Sequence, residues 1–274
     1  MTTRYQSQRR RELDNQNRIG YMLIIVIIII IVVIGYYFID SILTNNYQKI
    51  DEITLCPVNG PTSLTIIVID RSESLKPVQQ ELLRKNLIEI KEAVPRFGSL
   101  EVYTVGQTDK AVLRPEIKIC NPGRAQDVSK LTANPQRLEK KWRTQFSQSL
   151  DDIFSRLVVV TNDQFSPIME TIQSVAATSL AGSHNKDLPI KLIIVSDFIQ
   201  HTQQYSQYKG VDTFDKFKNN PYFKQLHTDL NGADVEMFYL LRDSSQKVQS
   251  PEHTKFWRDY FSAHHGTVVH YLPI

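Results

Sequence analysis

A chain of 274 residues has room for a membrane anchor and one sizeable domain with its own core. Its formal charge of +3 is concentrated at one end. Arg4, Arg9, Arg10, Arg11 and Arg18 face only Glu12 and Asp14 before the first apolar run, and the remainder holds 27 bases and 27 acids. The bulk charge thus gives no reason to expect a nucleic-acid partner, and the positive excess reads as a topology signal.

The first element is the uncharged stretch from Ile19 to Ile39, close to the roughly 20 residues needed to cross a hydrocarbon core. Tyr21, Tyr36 and Tyr37 stand near its ends, where amphipathic rings prefer the headgroup layer. A cleaved signal peptide is the competing reading, but the run is long for an h-region and the bulky GYYFIDSIL offers no small-residue cleavage site. The expected order is a cytoplasmic basic tail (1–18), a transmembrane helix (19–39), a polar connector (40–59) and one exported domain (60–274). Chain economy and the absence of an N-x-S/T sequon point to a bacterial inner membrane with the domain in the periplasm. The basic tail would lie against anionic lipid headgroups. Both cysteines, Cys56 and Cys120, fall on the exported side, where an oxidising compartment favours a disulfide over two buried thiols.

From Thr62 onward short apolar runs alternate with helical patterns, the signature of a parallel sheet covered by helices. Leu64 to Ile69 is apolar and β-branched on both faces, as a central strand should be. Pro77 opens a helix to about Val94, with Leu83, Leu87, Ile90 and Val94 on one stripe. Ser99 to Val105 and Ala111 to Ile119 form a hairpin about Gly106–Asp109, so one strand runs antiparallel. Pro135 and Pro167 open further helices, and Val158–Val160 fits a strand or a helix end equally well. Pro189 to Asp197, Val235 to Leu241 and Thr267 to Leu272 are strands. Phe256, Trp257, Tyr260 and Phe261 mark the core face of a helix between the last two. The fold class is α/β, a doubly wound and mostly parallel sheet with one antiparallel edge strand, preceded by one N-terminal transmembrane helix.

The chemistry concentrates at strand ends. Asp70-Arg71-Ser72-Glu73-Ser74 follows the first central strand and precedes a helix, a DxSxS arrangement that could equally just turn the chain and cap the helix. Asp197 ends another apolar strand, and Ser166 stands before a helix-opening proline. The carboxyl ends of parallel strands share one crevice, so Asp70, Ser72, Ser74, Ser166 and Asp197 can converge there. Two carboxylates and three hydroxyls suit a hard cation, Mg²⁺ or Mn²⁺, with an acidic side chain of a partner completing its shell.

These residues resemble the von Willebrand factor A domain family and its metal-ion-dependent adhesion site. There a DxSxS loop, a threonine in a second loop and an aspartate in a third hold a divalent metal. Asp70, Ser72 and Ser74 match the first loop, Ser166 takes the threonine's place, and Asp197 fits the third loop, with Phe198 where glycine is common. The resemblance covers most of residues 60–274. It implies a Rossmann-like sheet with the first hairpin at one edge, and it places Cys56 and Cys120 at the end opposite the metal crevice. It also implies a binding module that grips an acidic group of a partner protein at the membrane, in an envelope assembly, rather than an enzyme. A metal-dependent hydrolase with His201 as general base is the alternative, against the absence of a nucleophile elbow, HExxH, P-loop or DxD pair. A metal-free scaffold is the third reading. His264, His265 and His270 do not share a zinc spacing.

Overall fold

The computed structural model describes residues 20–39, 49–72, 74–106, 113–130, 133–157, 164–182, 187–226 and 228–274. The basic tail, residues 40–48 of the connector, the tip of the first hairpin and Val158–Val160 lie outside the described residues.

Helix α1, Gly20–Ile39, contains 20 residues without a charge and is exposed almost throughout. At 1.5 Å per residue it is about 30 Å long, the thickness of a hydrocarbon core. It is a candidate membrane span.

The folded unit comprises Lys49–Lys130 and Asn134–Ile274. Its six strands are β1 (Leu64–Ile69), β2 (Ser99–Thr104), β3 (Ile117–Cys120), β4 (Ile190–Ser196), β5 (Asp234–Tyr239) and β6 (Thr267–Pro273). They are ordered β3-β2-β1-β4-β5-β6. All neighbouring pairs are parallel except β2 with β3, which places the antiparallel strand at an edge. The hairpin is therefore present, but β3 begins only at Ile117. Pro115 has no N–H to give to a ladder, which accounts for the late start.

Among the described residues six α-helices accompany the sheet. They are α2 (Pro77–Ala93), α3 (Pro135–Lys141), α4 (Gln148–Leu157), α5 (Ile168–Val175), α6 (Phe214–Phe217) and α7 (Pro251–Ala263). Wider π-type turns, Trp142–Ser147 and Ala176–Leu180, join α3 to α4 and extend α5. Strand alternation divides the core in two. Ile66, Val68, Leu192, Ile194, Val235 and Met237 pack beneath α5 and the aromatic face of α7, Phe256, Trp257, Tyr260 and Phe261. Ile67, Ile69, Val102, Ile193 and Val195 pack against Leu83 and Leu87 of α2 and Phe146, Leu150 and Phe154 of the α3–α4 rod. Central strands thus bury both faces, which explains their uninterrupted apolar sequences.

At the N-terminal end of the parallel strands Cys56 and Cys120 form a disulfide. Cys120 lies opposite Ser99, itself opposite Leu64, which begins β1. Residues 49–59 fold as a turn on this end. Asp51 accepts from the amides of Ile53 and Thr54, the Thr54 carbonyl accepts from the Cys120 amide at 2.8 Å, and Leu55 is buried in the α2-side core.

Candidate functional site

Every parallel strand points its carboxyl end toward the same edge of the sheet, so the loops after β1, β4 and β5 and the entry to α5 meet there. Asp70 is the first residue past β1 and is 5% exposed. Three groups, two of them from distant segments, donate to its carboxylate. The Ser166 hydroxyl reaches Oδ2 at 2.8 Å and the Ser196 hydroxyl reaches the same oxygen at 2.9 Å. The Ser72 amide reaches Oδ1 at 3.0 Å, closing an Asx turn that starts the DxSxS loop. Charge-assisted bonds of this kind hold a buried carboxylate in place and answer its desolvation.

Ser196 was not among the residues singled out from the sequence. Ile69 pairs with Val195, so Asp70 comes level with Ser196 rather than with Asp197. Both strands end in an aspartate, but the two acids are staggered by one residue. Ser196 also accepts the Phe198 amide at 2.8 Å, which shapes the turn after β4.

Phe198 occupies that turn with φ +61°, a left-handed conformation that glycine adopts freely and a bulky side chain rarely does. Its packing holds it there. The ring is fully buried, stacks on Tyr239 at 5.5 Å and meets Trp257 edge-on at 5.3 Å, while its carbonyl accepts the Trp257 indole N–H at 2.7 Å. Beneath it His253 contacts the Tyr239 hydroxyl through Nδ1 and Gln207 through Nε2. Burial pushes the His253 imidazole down to about 4, so it is neutral at pH 7, and burial raises the Tyr239 phenol.

Asp197 is 3% exposed and lies in a different environment. Its Oδ1 accepts the Ile199 amide at 2.8 Å, and its Oδ2 is 3.6 Å from Nε of Arg242, a buried residue from the loop after β5. Arg242 donates through Nη1 to the Ser74 carbonyl at 2.6 Å. Gln249 completes the floor, accepting the Arg242 amide at 2.7 Å and donating to the carbonyls of Asp197 at 3.1 Å and Leu240 at 2.8 Å. Asp70 thus meets the Ser72 amide and the Ser166 hydroxyl, while Arg242 bridges the Asp197 carboxylate and the Ser74 carbonyl; Ser72 and Ser74 take part through their backbone. Arg242 and Gln249 were not foreseen, because their partners lie far away in sequence.

The donor set decides what the crevice can hold. Among the described residues no group of three or more His, Cys, Asp or Glu side chains is placed to hold a metal, so a cation here depends on hydroxyls. Ser72 is half-buried and Ser74 exposed, and Ser166 keeps lone pairs while donating to Asp70. Asp70 with these three hydroxyls fits a hard cation. Asp197 fits less directly, because one oxygen serves a backbone amide and the other faces a guanidinium. Contact through water would suit it better.

His201 joins the edge through its backbone. Its amide donates to the Ser166 carbonyl at 3.0 Å and its carbonyl accepts the Ser166 amide at 2.9 Å. The ring is committed to Ser206 at 2.9 Å and contacts Phe165 and Tyr208, an arrangement that gives no support to general-base chemistry. The three C-terminal histidines are separately engaged, His264 with the Tyr260 carbonyl, His265 with Asp229 and His270 with the Phe238 ring. No family model matches the chain, and no curated protein matches it at a significant level.

Proposed function

We propose that the chain is a membrane-anchored binding module of the von Willebrand A type, which holds an acidic group of a partner protein at the crevice on the carboxyl edge of its sheet. The observation that carries this reading is Asp70, a buried carboxylate at the end of the central strand, on which hydroxyls from the entry to α5 and from the end of β4 converge. In this reading Asp70, Ser72, Ser74 and Ser166 hold Mg²⁺ or Mn²⁺, and Asp197 assists from behind. The ion supplies a positive centre for a carboxylate of the partner. Ser74, exposed at the mouth, lies nearest the incoming group. The uncharged helix α1 supports a single-pass anchor, and the disulfide supports an oxidising, periplasmic location for the domain. An arginine-rich cytoplasmic tail agrees with that orientation.

A photocrosslinking residue at position 74 of the full chain, in intact membranes, tests the module directly. A discrete adduct that forms with Mg²⁺ and disappears with chelator or with Asp70→Ala is the expected result. The same adduct in parent and Asp70→Ala would mean that the fold offers an ordinary protein surface. That second reading, a metal-free scaffold, is favoured by one specific observation, the buried guanidinium already paired with Asp197.

A further inference from the structure

Arg242 has no role in the metal-holding reading above, yet both its backbone and its side chain are engaged at the carboxyl edge. It is 7% exposed, and it reaches two different loops, the Asp197 carboxylate at 3.6 Å and the Ser74 carbonyl at 2.6 Å. Its own backbone is fixed by Gln249, which also holds the carbonyl of Asp197. The Asp197 carboxylate accepts the Ile199 amide on Oδ1, and the buried guanidinium beside its other oxygen offsets the cost of burying its charge. An arginine is suited to the position because its planar, permanently charged fork can bond two acceptors at once.

We propose that Arg242 is the crevice's built-in cation, a positioning residue that neutralises Asp197 and clamps the DxSxS loop through Ser74, and so limits how tightly that loop takes a divalent ion. The second half rests on the metal reading; the clamp does not. The guanidinium lies on the carbonyl of a residue whose hydroxyl would ligate the ion, so it places positive charge beside the site and weakens the ion's binding. It also keeps Asp197 from turning toward the ion. A resting crevice of this kind is closed by its own arginine and opens when metal and partner together outcompete it.

The full chain in detergent provides the test, with Arg242→Met to remove the charge and Arg242→Lys to keep it while losing the fork. In chelator, hydrogen exchange at the amides of Ser72, Ser74 and Leu75 is expected to accelerate at least tenfold in Arg242→Met and less in Arg242→Lys. Amides of β1 and β4 should keep their protection. Titrated with Mn²⁺, Arg242→Met is expected to bind about tenfold more tightly than the parent, a gain that loss of a merely structural residue would not produce. Unchanged exchange around Ser74 in both variants overturns the clamp, whatever the metal does. Accelerated exchange with Mn²⁺ affinity equal to or weaker than the parent's overturns the control of metal binding. Accelerated exchange with no Mn²⁺ bound by parent or variants sinks the metal reading and its control by Arg242, and upholds the clamp. Should Arg242→Met not fold, Arg242→Lys decides the clamp by the same exchange readout.

Discussion

The two ends of the sheet are held in opposite ways. At the amino end of the parallel strands the chain is stapled. A disulfide joins residues 64 apart, the Asn121 amide group caps the Val94 carbonyl at 2.7 Å, and Gly98 fits so closely that an added Cβ would stand 2.6 Å from Ser63 Oγ. At the carboxyl end no covalent link exists among the described residues, and the loops are tied by side-chain bonds to two buried acids. The difference shows where each task resides. A rigid amino end can hold the fold while the carboxyl end keeps polar groups that a ligand can recruit, since bonds made by side chains can be exchanged and a disulfide cannot. Changes at one end should therefore be separable from changes at the other.

The largest separation is expected from the disulfide. Reduction, or Cys56→Ser with Cys120→Ser, should lower unfolding stability by about 4 kcal/mol on the chain-entropy account, measured by denaturant titration. Ion binding at the crevice of the fraction still folded should not change. A smaller effect should come from acid acting beneath the carboxyl end. His253 is held neutral in the fold at a value near 4, below its unfolded value of 6.5. The unfolded chain then binds more protons between these limits, so stability is full above about pH 6.5 and is lost as pH falls toward 4. The loss is on the order of 3 kcal/mol, from the shift at 1.36 kcal/mol per unit. His253→Leu should flatten the profile over that window, and a profile unchanged by the substitution would contradict this origin. The smallest expected change is Ser196→Ala, which removes one donor to Asp70 and one acceptor for the Phe198 amide. It should cost about 1–3 kcal/mol in unfolding, because it leaves a buried amide without its acceptor. It should also alter ion affinity at the crevice, which the cysteine replacements should not.

Much of the scaffold was legible because burial leaves a strong pattern. The run Leu64 to Ile69 matched β1 residue for residue, since a strand buried on both faces has no polar interruption. Prolines marked the starts of α2 and α3, and Pro167 stands one residue before α5. Two cysteines alone left one possible pairing. Less of the edge was legible. A motif shows which residues follow a strand but not how neighbouring strands are staggered, so the match of Asp70 with Ser196 required the register. Arg242 carries no local cue, because Ser74 is 168 residues away and no spacing rule spans that distance. Phe198 was visible as a departure from glycine, while the reason it is tolerated, an aromatic stack with Tyr239 and Trp257, exists only in three dimensions.

The central claim is that Asp70 anchors an ion site and does more than fasten the chain segments around it; it is no helix cap, since Lys76 stands at the N-cap of α2. Calorimetric titration of Mg²⁺ and Mn²⁺ into the full chain in detergent, kept oxidised, beside Asp70→Ala, tests it most directly. Saturable one-site binding by the parent, weakened at least tenfold in a mutant that still unfolds cooperatively, is the predicted result. A folded parent that takes up neither ion, or a mutant that binds as well as the parent, would contradict it and leave Asp70 as a buried acid that fastens the chain segments around it.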